Sequence, residues 1–193
     1  MLNTKGLNAT TFLSKSFITD QDWRYCSKKT NTSTVGFEPT LGMGVSASTS
    51  TIVLINAGGF DDQYITAYLQ FVPPTAIGAE EIGVMCRVQS VDSPSVHYYY
   101  ARASLGIAKL TKVVSGSFTN LSTTTFSLSQ SQLVSITLQT VGNQISASFI
   151  PIGGSPTAVW LTATDSSIQT GGGFAVRSQN SSFFCPSFIV REL

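Results

Sequence analysis

The stretch HYYYARASLG, residues 97–106, holds the only histidine of the chain, three consecutive tyrosines and an arginine two places beyond them. Aromatics gathered this densely, with no 3.6-residue apolar period around them, favour an extended strand. In a strand, Tyr98, Tyr100 and Arg102 share one face, and His97, Tyr99 and Ala101 share the other. One set must point into a core. The other either packs across strands beneath covering loops or presents rings that stack on sugars, with Arg102, and Arg87 from the preceding strand, as donors.

The surrounding chain repeats the extended pattern. Apolar alternation recurs between turn signals at residues 11–18, 51–56, 63–71, 81–90, 96–103, 105–114, 132–141, 144–150 and 183–190, and more weakly at 23–26, 157–163 and 173–178. Many short strands punctuated in this way predict an all-β antiparallel sandwich with no long helix. Gly142-Asn143 reads as a two-residue hairpin turn of residues that tolerate positive φ. Ser115-Gly116-Ser117 and Ile152-Gly153-Gly154 read as further turns, and Pro73-Pro74 stops a strand because proline cannot donate to a ladder. The reading places a polar arm at residues 1–10 and one sandwich domain over 11–193, a length that buries enough surface to fold without staples.

Charged residues make up only 11% of the 193, and the formal net charge is +1. This is no electrostatic footprint for nucleic acid or an anionic membrane surface. No apolar run approaches the ~20 residues of a membrane helix. The N-terminus lacks the apolar core of a signal peptide, so synthesis in a cytoplasm is expected. The four N-x-S/T sequons then carry no meaning. Three cysteines, Cys26, Cys86 and Cys185, with no close pair, indicate neither a zinc site nor a disulfide framework, and free thiols are expected.

The order of features resembles the concanavalin A-like lectin/glucanase superfamily, including its laminin-G-like modules. Gly83-Val84 with Arg87 lies on one strand and Tyr98-Tyr99-Tyr100-Ala101-Arg102 on the next. Leu138 to Ala147 forms a hairpin around Gly142-Asn143, and Asp165-Ser166-Ser167 followed by Gly171-Gly172-Gly173 precedes the last strand. The resemblance covers about residues 60–190. It implies a jelly roll of two antiparallel sheets, six or seven strands each, with the first and last strands adjacent. It also allows the topology to bring Cys26 near Cys185.

Glycoside hydrolases of that superfamily carry an E-x-D-x-x-E strand, because a retaining mechanism needs two carboxyls on one face ~5 Å apart. Here Glu80-Glu81 and Asp61-Asp62 are adjacent and point to opposite faces when extended. Only Asp20 and Asp22 alternate, and they read as a turn. His97 has no nucleophile beside it. Asp20, Asp22, Asp61, Asp62 and Asp165 could offer oxygens to calcium, but no spaced acidic loop unites them. Asp165 is better read as a turn residue bonding the backbone two residues on. The sequence therefore predicts a non-enzyme with no cofactor, no metal and no catalytic residue. Its candidate ligand face is Arg87, His97, Tyr98, Tyr99, Tyr100 and Arg102. Composition and architecture suggest a structural or adhesive module on a phage-like particle surface, capsid decoration or tail adhesin. Such a module would be homo-oligomeric and would contact other virion proteins or itself. The alternatives are a lectin-like module binding a host-surface glycan and a polysaccharide-degrading enzyme of the same fold.

Overall fold

The computed structural model describes residues 13–16, 26–29, 34–38, 42–46, 51–55, 60–71, 80–90, 96–129, 131–169, 171–179 and 183–193. They form fifteen strands and, among the described residues, no helix. In chain order these are β1 (Leu13–Ser16), β2 (Cys26–Lys29), β3 (Thr34–Glu38), β4 (Gly42–Ser46), β5 (Thr51–Ile55), β6 (Gln63–Phe71), β7 (Glu81–Ser90) and β8 (His97–Ala103). They continue as β9 (Ile107–Val114), β10 (Ser117–Thr125), β11 (Leu133–Val141), β12 (Gln144–Pro151), β13 (Val159–Thr164), β14 (Gly173–Gln179) and β15 (Phe183–Glu192). The first sheet runs β13-β12-β11-β6-β15-β4-β3, with β1 also on β15; the second runs β10-β9-β8-β7-β14-β5-β2. Every pairing is antiparallel, giving the expected jelly-roll sandwich. The first and last strands are neighbours, as the resemblance implies: Leu13 lies opposite Val190 and Ser16 opposite Ser187. β4 takes the other half of the same edge, pairing with Phe183 to Cys185.

The main core lies between the sheets. It is built from alternate residues such as Ile65, Ala67 and Leu69 of β6, Ile136 and Leu138 of β11, and Phe149 of β12, facing Val84, Tyr99, Leu110 and Val176. The two sheets differ on their outward faces. In the second sheet, β7 from Glu81 to Val88, β8 from Tyr98 to Ala103 and β14 from Phe174 to Ser178 are buried at every position, hence on both faces. In the first sheet, β12 alternates buried and accessible residues, so its outward face is open.

Three strands escaped the sequence reading. β10 is Thr- and Ser-rich and mostly accessible, so it lacks the apolar alternation that marks a half-buried strand. Pairing with β9 makes it extended. β3 and β4 are short and carry glycines that dilute the same signal. The expected arm lies outside the described residues. Cys86 and Cys185 are both buried, and the side chain of Cys26 lies outside what the structure describes. Burial pushes the Cys86 thiol up, and its Sγ lies 3.6 Å from the Leu138 carbonyl.

One end of the sandwich is tied by buried polar groups. Arg87 sits in β7 at φ 50, where the β7–β8 register shifts between Cys86 and Ser90. Its side chain is fully buried. Nε donates to the Asp61 carbonyl (2.9 Å) and Nη1 to the Ile168 carbonyl (2.7 Å). Its backbone N–H donates to Gln63 Oε1 at 2.7 Å, and Gln63 in turn donates to the Gly172 carbonyl at 2.8 Å. Gly172 has φ +98, and a Cβ there would lie 2.7 Å from the Arg87 carbonyl carbon, so only glycine fits. Beside it, Asp165 accepts from Lys112 Nζ (2.6 Å), the Tyr99 hydroxyl (2.8 Å) and the Ser167 N–H (2.9 Å), the last being the expected bond two residues on. Burial alone would raise the Asp165 carboxyl, but the Lys112 ammonium and the other donors outweigh it and hold it down to about 2.

Two measurements check this account. Ser115 and Gly116 both have positive φ, 50 and 77, as a type I′ hairpin turn between β9 and β10 demands, and serine is strained there. Ser115→Asn should therefore stabilise the fold by roughly 0.5–1 kcal/mol in denaturant unfolding; a loss would contradict the turn. Because the Asp165 carboxyl is depressed in the folded state, its contribution is present above the unfolded value near pH 4 and is lost as pH falls through about 2. Asp165→Asn should cost of order 1–2 kcal/mol at pH 7 and flatten the acid limb of the stability curve between those pH values.

Candidate functional site

The residues that the sequence marked as a ligand face do not form one open surface. Tyr98, Tyr100 and Arg102 do share the outward face of the second sheet, and Tyr99 does point to the core, as strand parity requires. Tyr98 and Tyr100 are nevertheless buried, packing edge to face at 6.3 Å against Met85, Val88, Val113 and Ala175. Arg102 is buried in a polar knot: Nε donates to Thr111 (3.0 Å), Nη2 to Asn120 (2.9 Å) and Nη1 to Glu81, which Lys109 also approaches at 3.5 Å. Arg177 donates to the Tyr98 hydroxyl and lies 5.3 Å from the Tyr100 ring centroid. Tyr98 is pushed up, first by burial, and Tyr99 and Tyr100 likewise. Arg87 belongs to the buried tie at the sandwich end. His97 is half-buried at the start of β8, opposite Val114. The expectation of a stacking platform at these tyrosines is thus corrected. A ring enclosed on both sides has no face to offer a ligand, and the cross-strand packing reading applies.

The described carboxylates do not assemble a cleft either. Asp61 accepts from the Gly171 N–H (2.8 Å) and Asp62 from the Gly142 N–H (2.7 Å), so each holds a turn. Glu81 is engaged with Arg102 and Lys109. Among the described residues no three His, Cys, Asp or Glu side chains cluster as a metal would require. Asp20 and Asp22 lie outside the described residues.

The open surface is the outward face of the first sheet, and it carries a shallow groove of about 360 Å³. Register builds it in two rows. Trp160 lies opposite Ser148, Ser148 opposite Thr137, and Thr137 opposite Thr66. One step along, Thr162 lies opposite Ser146, Ser146 opposite Gln139, and Gln139 opposite Tyr64. Trp160 is 67% exposed, and Ile150 beside it is 39% exposed. At the far end the Arg191 guanidinium sits 5.0 Å from the Tyr64 ring centroid, directly across the β6–β15 pairing. The Thr66 and Thr137 hydroxyls are 2.6 Å apart, and Thr66 donates to the Tyr64 hydroxyl at 2.9 Å.

The lining holds hydroxyls, one amide, aromatic rings and apolar edges, and none of its residues is acidic, lysine or histidine. Such a surface offers a flat ring to an apolar ligand face and neutral donors and acceptors around it. The sequence reading missed it because it weighed clusters of aromatics, and Trp160 stands alone in a weak strand. A signal was present. Val159, Leu161 and Ala163 occupy the core phase of β13, which leaves Trp160 on the solvent phase with Thr162 and Thr164.

No protein-family model and no curated protein sequence matches the chain. Solved structures do share its architecture. A protein of unknown function with a galectin-like fold from Bacillus subtilis superposes with TM-score 0.69 at 10% identity, covering 96% of each chain. The carbohydrate binding module CBM66 from Bacillus subtilis gives TM-score 0.61 at 13% identity, covering 86% of this chain and 92% of its own. The Crh5 transglycosylase in complex with NAG gives 0.65 at 10% identity, covering 95% and 85%. The chain therefore shares the jelly-roll sandwich fold of these structures.

Proposed function

We propose that the chain is a non-catalytic carbohydrate-binding module that receives a neutral glycan on the outward face of the first sheet, with Trp160 as the stacking platform. The observation that carries this reading is a two-thirds exposed tryptophan beside rows of serine, threonine and glutamine in a groove whose lining carries no charged residue. The flat face of a solvent-facing indole is a partner for the apolar face of a sugar ring, while the neighbouring hydroxyls and the Gln139 amide can meet its OH groups. Likeness in fold to a carbohydrate binding module supports the reading. Fold likeness to a transglycosylase raises the enzymatic alternative. Glycoside chemistry needs an acid and a second carboxylate in fixed register, and no residue lining the groove supplies either. The comparisons lend nothing to the expectation of a phage-like particle protein, and the open stacking face favours the glycan-binding alternative to it.

Binding to a panel of immobilised neutral polysaccharides, followed by affinity electrophoresis, tests the proposal. Trp160→Ala should weaken binding about 10–100-fold, as for other aromatic anchors. It should shift global stability by no more than roughly 0.5 kcal/mol, since the side chain is exposed. With only Trp23 and Trp160 in the chain, ligand quenching of fluorescence should disappear with the same substitution. Affinity unaffected by Trp160→Ala, or reducing sugar released by the wild type, would refute the reading. A second expected outcome concerns conditions. The lining holds no carboxylate, histidine or lysine whose charge could change between about pH 5 and 9. No ion pair is screened by salt in the groove. Affinity should therefore stay flat across that pH range and between low and high salt; a bell-shaped pH profile would point to ionisable groups elsewhere.

A further inference from the structure

The groove has two aromatic ends, and their separation bears on what it holds. Trp160 lies on β13, the terminal strand of the first sheet, and Tyr64 lies on β6, three strands away. At 4.7–4.9 Å per strand, the strands that carry the two rings lie roughly 14 Å apart across the sheet. That distance exceeds the width of a single sugar ring. Between them run Ser148 and Thr137 in one row, and Ser146 and Gln139 in the next, all accessible in part. The Tyr64 end is reinforced by the Arg191 guanidinium stacked on its ring. The Trp160 end sits on the sheet edge and is 67% exposed.

We infer that the groove takes a linear, uncharged oligosaccharide segment lying across the strands, from Trp160 to the Tyr64–Arg191 pair, and so reads several consecutive units instead of a single terminal sugar. This rests on the carbohydrate reading of the same face. Each aromatic end holds a different sugar unit, and the hydroxyl and amide rows between them bond the intervening units. An aromatic platform on an edge strand lets a longer chain run past it into solvent. Acidic glycans gain little here: the lining carries no charged residue, and the Arg191 guanidinium at its end is already stacked on Tyr64. Gln139, between the ends, is the residue whose two-sided amide can select among hydroxyl arrangements.

The test is a length series. Cello-, manno- and xylo-oligosaccharides of one to six units are titrated calorimetrically into the wild type, with polygalacturonate oligomers of matching length as the acidic arm. In the series that binds, affinity should rise at least tenfold from one unit to three or four and then level off, and the acidic oligomers should bind more weakly at equal length. Tyr64→Ala should erase most of the rise. Gln139→Ala, on a partly exposed side chain that the core does not need, serves as the second variant and should change the preference among the three series. Thermal unfolding checks that each variant is folded. Trp160-dependent binding with no length dependence, or tighter binding of the acidic oligomers, would overturn the extended-chain inference while leaving the carbohydrate reading intact. No Trp160-dependent binding at any length would overturn the carbohydrate reading itself, and this inference with it.

Discussion

The buried guanidinium of Arg87 is the constraint around which one end of the sandwich is arranged. Burying that charge without partners would cost several kcal/mol. The chain answers by bringing two distant backbone carbonyls, Asp61 and Ile168, to within hydrogen-bond distance, and Asp62 to 3.6 Å. These contacts join the residues leading into β6 to the connection between β13 and β14, in opposite sheets. The positive φ of Arg87 and the register shift beside it are the local strain that aims the side chain there. Gln63 closes the tie by accepting from the Arg87 N–H and donating to Gly172, whose missing Cβ permits the approach. Asp165, Lys112 and Tyr99 form an adjacent polar cluster that fixes the same connection.

A similar close fit shapes the centre of the second sheet. A Cβ at Gly83 would lie 2.0 Å from the Ala101 carbonyl oxygen and 2.8 Å from the Tyr100 ring. The glycine therefore lets that ring lie against the sheet. With Tyr98, Tyr100, Arg102 and Arg177 packed over it, this face is interior. Arg102 is paired there with Thr111, Asn120 and Glu81, and the Tyr98 hydroxyl with Arg177, which orders the arrangement but leaves no surface for a ligand.

The first sheet is the complement. Its inward residues meet the requirements of the core, so the residues facing outward into the groove are free of them, and beside Ile150 they are serine, threonine, glutamine, tyrosine and tryptophan. A rigid, flat, uncharged array of this kind needs little reorganisation to receive a polyhydroxylated ligand, because its side chains are short and its backbone is held by ladder bonds. The arrangement separates tasks: one sheet consolidates the fold and the other presents the surface.

The amino-acid sequence by itself determined the all-β class, most strand positions and the jelly-roll resemblance, because period-2 alternation and turn residues are local properties. It also determined that Tyr98, Tyr100 and Arg102 share a face opposite Tyr99, since parity follows from strand geometry alone. The Gly142-Asn143 turn was legible too, although only Gly142 of the pair is among the residues with positive φ. Strands without an apolar phase, β10 above all, were not legible, because their extension comes from a neighbour's ladder and not from their own pattern. Tertiary structure alone decided which sheet face is covered. Parity says that two residues point the same way, but whether that way leads to solvent depends on what packs there. The three tyrosines drew the eye and proved to be interior, while a lone Trp160 in a weak strand became the candidate anchor because β13, β12, β11 and β6 assemble one open face from residues almost a hundred positions apart.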